Sequence, residues 1–202
     1  MEDLKFESFC GVVLSYGRVP RLKEAIASLG DLPVVVFNPN QSWWDEDMPD
    51  YTAEQMPPGV WKMNGDWKSE TDVRNAMQEF VFRSGYQAMI MIDADEVIDD
   101  IEKMIDAIQK NLFHSVYTCD LIDHGPNGEL LEQRTHHPAV AVDCRTLNAV
   151  FTDKRCVGAT LYHLEDIGLH HYSYDVPEEY IFKQNKSDGD IWPPEEHRSI
   201  IE

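Results

Sequence analysis

Three short runs of apolar residues, at positions 9–15, 32–37 and 89–92, constrain the fold of this chain more than any other feature. Each run has the length of a buried strand, and none has flanking polar alternation. Segments with helical periodicity lie between and after these runs, and their apolar residues are Leu22, Ile26 and Leu29, then Val73, Met77, Phe80 and Val81, then Ile101, Met104, Ile105 and Ile108. The alternation predicts βαβ units and an α/β fold with interior parallel strands.

Helix boundaries are marked by capping residues. Ser69 to Asp72 resembles a capping box, and Gly85 ends the helix that follows it. Asp99 and Asp100 are placed to cap the next helix, where acidic residues complement the helix dipole. These signals predict two further helices, one on each side of the third apolar run.

The pattern changes after residue 110. Two strands are predicted at residues 113–120 and 138–144, joined across the turn residues 125–128. A further strand-like segment covers residues 169–174, and a late helix is predicted at residues 177–186. We therefore predict one domain over residues 1–202, with a mixed central sheet flanked by helices. Residues 9–110 form its first part and 111–188 its second, and 189–202 form a loosely held tail. Residues 38–67 make an irregular connection of a length typical of loops that cover a site.

The net negative charge of the chain disfavours two kinds of partner. Asp and Glu number 37 and Lys and Arg 17, and the net charge of −20 disfavours tight binding to duplex nucleic acid or an anionic membrane surface. No segment approaches the roughly 20 apolar residues of a membrane span, and the first residues lack a signal-peptide pattern. We therefore expect a soluble, cytoplasmic protein. The four cysteines have no metal-binding or redox spacing, which indicates free thiols.

The third apolar run ends directly in carboxylates, at Asp93-Ala94-Asp95-Glu96. In open α/β sheets, ligands bind beyond the carboxyl ends of the strands. Two carboxylates two residues apart repel each other there unless a cation or protons compensate, and a hard divalent ion suits them. Because Mg²⁺ and Mn²⁺ commonly keep substrate phosphates as ligands, the pattern favours a nucleoside-diphosphate site. The alternative is a solvated acidic turn that caps the next helix.

These pieces resemble the GT-A nucleotide-sugar glycosyltransferases, especially the family 2 type, which has a Rossmann-related sheet. The resemblance covers residues 9–110 and rests on three segments in order, VVLSYGRVPRLKEAIASL, KSETDVRNAMQEFVFRSGY with its Arg-Asn pair, and IMIDADEVID. A second segment, LHHYSYDVPEEYIFKQNK, resembles the His-Tyr stretch of some bacterial and phage members. The resemblance implies a glycosyltransferase that uses Mn²⁺ or Mg²⁺ and a nucleoside-diphosphate sugar.

The resemblance also implies roles for particular residues. Asp93 would meet the ribose or the metal, and Asp95 would bind the ion that bridges the diphosphate. His171, or else His170, would be a further metal ligand; adjacent strand residues face opposite sides, so only one of the two can face the site. The nucleotide sugar would meet residues from the first, second and third strands and the Arg-Asn helix, namely Ser15, Tyr16, Arg18, Asn38, Arg74, Asp93 and Ala94.

The reaction needs a leaving-group stabiliser and, in an inverting mechanism, a carboxylate base. The resemblance favours Asp166 or Glu165 as that base, whereas Asp123 also reads as a turn residue. Asn38 stands where family members often have an acid that accepts a hydrogen bond from uracil, so the donor base stays open.

The acceptor is open among a saccharide, a lipid-linked acceptor, a protein and a modified base. Trp43, Trp44, Trp61 and Trp67 lie in or beside the 38–67 connection, where they either stack on a ligand or, as we prefer, anchor the loop.

Two other functions fit the pattern. A nucleotidyltransferase would need a Gly-rich loop after the first strand, and SYGRVPRLK offers one glycine. A non-catalytic module that binds nucleotide sugars is the other.

Overall fold

The described part of the computed structural model comprises residues 8–17, 19–42, 49–125, 128–131, 137–145, 150–153, 156–157 and 160–172. Its strands are β1 (Phe9–Leu14), β2 (Val34–Pro39), β3 (Trp61–Gly65), β4 (Ala88–Asp93), β5 (Glu96–Ile98), β6 (Val116–Asp123), β7 (Ala139–Asp143), β8 (Phe151–Asp153), β9 (Cys156–Val157) and β10 (Leu161–His171). Its helices are α1 (Leu22–Ser28), α2 (Thr52–Gln55), α3 (Glu70–Arg83) and α4 (Ile101–Lys110).

Eight strands form one mixed sheet in the order β3-β2-β1-β4-β7-β6-β10-β5, while β8 pairs with β9. The first four strands in this order are parallel; the apolar runs predict this for β1, β2 and β4 but not for β3. Strand β7 runs antiparallel to both β4 and β6, β6 and β10 are parallel, and β5 is antiparallel to β10. The predicted α/β architecture with a mixed central sheet is therefore confirmed.

Alternate residues of the interior strands feed two apolar cores, one on each face of the sheet. In β4, Ile90 and Ile92 pack on the face covered by α1 and α4, whereas Met89 and Met91 pack on the face covered by α3. All four side chains are fully buried. Because β4 has apolar partners on both faces, it reads in the sequence as a continuous apolar run.

The predicted caps form at α3 and α4. The Ser69 hydroxyl accepts a hydrogen bond from the Asp72 backbone N–H at 3.1 Å, and Asp100 Oδ1 accepts one from the Lys103 backbone N–H at 2.9 Å. Each cap satisfies one of the unpaired donors of a helix N-terminus. The α4 cap lies just after β5, the short strand that follows Asp93 and Asp95.

The 38–67 connection is more regular than the sequence predicts, because it contains α2 and the strand β3. Strand β3 pairs in parallel with β2 from Val35↔Trp61 to Pro39↔Gly65. Its sequence, WKMNG, lacks an apolar run because β3 is an edge strand with largely exposed side chains. Periodicity therefore could not reveal it.

Strand β10 is also longer than predicted, beginning at Leu161 rather than near residue 169. Its pairing with β6 is interrupted between His163 and Gly168, and Asp166 has a left-handed φ of 58° in that bulge. An irregular stretch with two exposed acids breaks the alternation that would identify a strand. The predicted helix at 177–186 and the 189–202 tail lie outside the described residues.

Three cysteines, Cys10, Cys119 and Cys144, are buried free thiols, as predicted. Burial raises the pKa of Cys10 and of Cys144 to about 12, so both stay protonated and behave as small apolar residues. Among the described helices, none is long and apolar enough to cross a membrane.

Candidate active site

The paired carboxylates stand at the carboxyl end of β4, near the centre of the sheet. Asp93 pairs in register with Leu14 of β1, and the Ala94 backbone N–H donates to the Leu14 carbonyl at 2.9 Å. Parallel strands end at the same edge of a sheet, so the ends of β1, β2 and β4 meet here. The acids therefore lie at the edge where α/β folds bind ligands, rather than on a remote turn.

Asp93 is held by a buried arginine. Arg74 on α3 is fully buried, and its Nη2 donates to Asp93 Oδ1 at 2.8 Å and to Glu70 Oε1 at 2.7 Å. The Asp93 side chain keeps 30% of its surface exposed. Glu96 Oε2 also accepts the Asp93 backbone N–H at 2.7 Å. Arg74 thus fixes one side of the Asp93 carboxylate and leaves another part facing outward.

Asp95 has a different cationic partner. Its Oδ2 lies 3.6 Å from Nε2 of His171, and Nδ1 of the same ring lies 2.7 Å from Asp123 Oδ1. Burial lowers the pKa of His171, but the charge of Asp95, the hydrogen bond to Asp123 and the charge of Glu96 outweigh it and raise the pKa to about 9. The ring is therefore protonated near neutral pH, hydrogen-bonds to Asp123 through Nδ1, and forms an ion pair with Asp95 through Nε2.

The pairing of β5 with β10 gives the adjacent residues His170 and His171 different surroundings. Strand β5 pairs with β10 so that His171 stands opposite Glu96 and His170 opposite Val97. The ring of His170 contacts Asp99 through Nε2 and His124 Nε2 through Nδ1, the latter at 2.6 Å. His171 is thus the histidine next to the Asp93-Ala94-Asp95 turn, and its role as a metal ligand stays a prediction.

Asp123 is more than the turn residue it resembles in the sequence. It is the last residue of β6, it is 2% exposed, and β6 pairs it directly with His171. The other base candidates lie elsewhere on β10: Glu165 and Asp166 are exposed in the bulge, and Lys103 Nζ donates to the Asp166 carbonyl at 2.6 Å. That bulge precedes Gly168, which lies roughly 10 Å along the strand from His171.

A polar cluster joins the ends of β1 and β2. Asn38 is fully buried, and its Nδ2 donates to the Ser15 carbonyl and to Asp50 Oδ2, both at 3.0 Å. Thr52 Oγ1 donates to Asp50 Oδ1 at 2.7 Å and lies 2.9 Å from Ser15 Oγ. Asp50 therefore brings a carboxylate beside the position where the family resemblance expects an acid and the sequence has Asn38.

Tyr16 belongs to the same edge. The pKa of Tyr16 is raised overall, mainly by burial and also by the charge of Asp50, while a hydrogen bond with the Ser42 backbone acts in the opposite direction. Gly17, the next residue, donates its backbone N–H to Asp50 Oδ1 at 3.1 Å. Arg18, the other predicted contact in this turn, lies outside the described residues.

Sequence reasoning missed Asp50, Glu70 and Glu96 as site residues. Glu70 is four residues before Arg74, a spacing that places oppositely charged side chains together on a helix, and this signal could have revealed it. Asp50 gives no comparable signal, because it lies 12 residues beyond Asn38 in an irregular segment.

The two described tryptophans of the 38–67 connection have different environments. Trp67 packs against Phe37 with ring centroids 5.6 Å apart, as an anchor would. Trp61 is 72% exposed on the edge strand β3. Trp43 and Trp44 fall outside the described residues.

Asp95 and His171 offer a carboxylate and an imidazole that could both ligate one divalent ion. Two ligands of one ion lie roughly 3.0–3.5 Å apart when each is about 2.1 Å from it, and Asp95 Oδ2 and His171 Nε2 are 3.6 Å apart. An imidazole with a carboxylate suits Mn²⁺ better than Mg²⁺. Elsewhere in the described residues, Asp120, His137 and His163 place three possible ligand atoms within 4.8 Å of one another.

Comparison with known proteins gives matches of structure only. No protein-family model and no curated protein sequence matches the chain. Similar solved structures include GalNAc-T7 with UDP, GalNAc and Mn²⁺ (10% identity, 81% of this chain and 43% of that one, TM-score 0.53). Others are Rv0371c from Mycobacterium tuberculosis H37Rv (11%, 88% and 97%, 0.50) and HddC from Yersinia pseudotuberculosis (10%, 88% and 98%, 0.47).

The chain spans less than half of GalNAc-T7. The chain has a GT-A-like α/β fold, which is the fold class that the sequence predicts.

Proposed function

We propose that this protein is a metal-dependent glycosyltransferase that moves a sugar from a nucleoside-diphosphate sugar to an acceptor hydroxyl, with inversion. The observation that carries the proposal is the pair Asp93 and Asp95 at the carboxyl end of β4, each beside a cation from another element. This edge is the ligand-binding edge of α/β sheets. The similarity in fold to a structure that holds UDP, GalNAc and Mn²⁺ supports the same class of donor.

Asp95 and His171 are the proposed metal ligands. A divalent ion bound there would stabilise the negative charge that develops on the departing diphosphate. Asp123 orients His171 through the hydrogen bond to Nδ1, in the way that carboxylates position ligating histidines. Because His171 is protonated at neutral pH, it must release a proton before it can ligate a metal.

Asp93 is assigned to the nucleotide rather than to the metal. Arg74 is wholly buried and occupies Asp93 Oδ1, so it acts by positioning that carboxylate, while the exposed part of Asp93 faces outward toward a ribose. Ser15, Tyr16, Asn38 and Asp50 would line the base pocket, where Asp50 takes the part of the acid that Asn38 replaces. The assignment of Glu165 or Asp166 as the base stays a prediction.

The proposal is tested by ligand-dependent melting. Nucleoside diphosphates with each common base are screened with and without Mn²⁺, because a ligand that binds only the native state raises the melting temperature. We expect one nucleotide to raise it in a Mn²⁺-dependent manner, and Asp95→Asn to abolish that dependence. A matched control is Asp106→Asn, which removes an exposed acid of α4 that forms a surface ion pair with Lys110.

Product analysis separates the two enzymatic functions. A glycosyltransferase releases a nucleoside diphosphate, whereas a nucleotidyltransferase releases pyrophosphate. The proposal is wrong if pyrophosphate is the product, or if Asp95→Asn folds and retains Mn²⁺-dependent turnover. It is also wrong if no nucleotide changes the melting temperature.

A further inference from the structure

A second group of side chains that could ligate a metal lies on or beside three neighbouring strands and shares no residue with the Asp93-Ala94-Asp95 turn. It consists of Asp120 on β6, His163 on β10 and His137 just before β7, and we call it the Asp-His-His cluster. Strand β6 lies between β7 and β10 in the sheet. The cluster therefore joins three strands that the chain visits far apart in sequence.

The strand register explains why these residues meet. Thr118 of β6 pairs with Ala139 of β7 on one side and with His163 of β10 on the other. Asp120 is two residues after Thr118 and therefore projects from the same face of the sheet. Because β7 is antiparallel to β6, His137, two residues before Ala139, comes level with Asp120.

The distances suit one ion. Asp120 Oδ1 lies 3.1 Å from His137 Nδ1 and 3.4 Å from His163 Nε2. Two ligands of a single ion, each about 2.1 Å from it, are separated by roughly 3.0–3.5 Å. Both imidazoles thus approach the same carboxylate oxygen at the spacing that shared coordination requires.

The rest of the cluster also has the form of a metal site. The other ring nitrogen of His163, Nδ1, lies 3.3 Å from Thr118 Oγ1, and ligating histidines are typically held through that second nitrogen. The side chains of Asp120, His137 and His163 are 39%, 46% and 38% exposed, so water could complete the coordination. Thr118 itself is buried.

We propose that the Asp-His-His cluster binds a divalent transition ion of the Zn²⁺ class, which ties the start of β7 to β6 and β10. Two imidazoles and one carboxylate favour such an ion over Mg²⁺ or Ca²⁺, which prefer oxygen ligands alone. With three protein ligands, the site leaves a position for water. The site is distinct from the proposed donor site, because it shares no residue with Asp93, Asp95 or His171.

The test uses the full chain without nucleotide, after chelator treatment. Zn²⁺ and Mg²⁺ are titrated calorimetrically into the Asp95→Asn variant, which lacks one proposed ligand of the donor site, and the cluster variants below identify the binding that belongs to the cluster. We expect one Zn²⁺ to bind, with Mg²⁺ far weaker. Adding Asp120→Asn or His163→Gln should weaken Zn²⁺ binding by more than about 100-fold, beyond the effect of a supporting hydrogen bond.

Two further variants make the result specific. Thr118→Val removes only the hydroxyl beside His163 and should weaken binding about tenfold, whereas Asp106→Asn, on α4, should leave it unchanged. Co²⁺ in place of Zn²⁺ should give visible absorption that His163→Gln abolishes, and circular dichroism of each metal-free variant verifies folding. The proposal is overturned if the folded parent binds no Zn²⁺, if Mg²⁺ binds equally well, or if the folded His163→Gln variant retains the affinity.

The outcome is independent of the donor reaction. Loss of Zn²⁺ binding in this test leaves the nucleotide-dependent melting of the unmodified chain untouched. Absence of nucleotide binding in that experiment likewise says nothing about Zn²⁺ at the cluster.

Discussion

At the residue scale, His171 links the proposed metal site to the folding energy of the protein. Its ring bridges Asp95 on the β4–β5 turn and Asp123 on β6, two elements that are not adjacent in sequence. The pKa of about 9 means that the ring carries a proton in the metal-free protein at neutral pH. The positive charge of the ring then offsets the negative charges of Asp95 and Asp123 in the metal-free protein.

This predicts a decrease in stability at alkaline pH. Because the pKa of His171 is raised above its ordinary value of about 6.5, the stabilisation is complete below pH ~6.5 and is lost as the pH rises through about 9. We expect the free energy of unfolding of the metal-free protein to fall over this window by about 3 kcal/mol. Urea denaturation at a series of pH values measures it.

The control for the pH prediction is His171→Gln, which keeps a polar side chain that does not titrate. Its free energy of unfolding should be lower near pH 6 and should vary less between pH ~6.5 and 9. Equal slopes in the two proteins would show that another group causes the dependence.

At the element scale, the end of β3 depends on a close approach between backbone and an aromatic ring. A Cβ added at Gly65 would lie 2.7 Å from Trp67 Cζ2 and 2.8 Å from Cε2 and Cη2. The same indole packs on Phe37, whose ring in turn contacts Phe80 on α3. Gly65 is thus required because the rigid indole ring covers its α-carbon.

Gly65→Ala should therefore destabilise the protein by about 1–3 kcal/mol, the usual cost of overpacking. The displaced indole should also change the tryptophan fluorescence. A double-mutant cycle provides the control: in a Trp67→Ala background the same substitution should cost much less, because the clash is gone. An equal cost in both backgrounds would place the strain in the backbone instead.

At the scale of the whole molecule, charge is the dominant feature. With 37 acidic and 17 basic residues, the net charge of −20 makes the compact state repel itself. The described ion pairs offset some of this repulsion locally, as at Arg74 with Asp93 and Glu70. Because 37 acidic residues face 17 basic ones, an excess of negative charge remains whichever pairs form.

We therefore predict that monovalent salt stabilises this protein. Raising NaCl from about 0.01 M to 0.15 M shortens the screening length from about 30 Å to about 8 Å, which weakens long-range repulsion more than buried ion pairs. The melting temperature should rise over this range. A chelator is kept present throughout so that contaminating divalent ions do not contribute, and a fall in the melting temperature would show that attractive pairs dominate.

Much of the fold follows from sequence alone, for a local reason. The runs at β1, β2 and β4 are apolar on both faces because each strand is covered on both sides, so burial is written directly into consecutive residues. Ser69 and Asp100 mark their helices through side-chain bonds that span three residues. Strand β3 was not predicted because it is an exposed edge strand without an apolar run. Only the end of β10 was predicted, because a bulge interrupts its alternation of apolar and polar residues.

The candidate site divides in the same way. Asp93 and Asp95 could be located from sequence because they directly follow a buried strand, and sheet geometry places such residues at the binding edge. The positively charged partners of Asp93 and Asp95 could be identified only from the tertiary structure. Arg74 reaches Asp93 across 19 residues, and His171 meets Asp123 across 48, so no local pattern determines either contact.

The sequence by itself determined the α/β class, the interior strands, two capped helices and the position of the paired carboxylates, because those features depend on neighbours a few residues away. Only the tertiary structure decided that Asp50 lies beside Asn38, that His171 rather than His170 faces Asp95, and that Asp120, His137 and His163 come together. The reason is physical: strand register and the path of the 38–67 connection bring together residues that are distant along the chain.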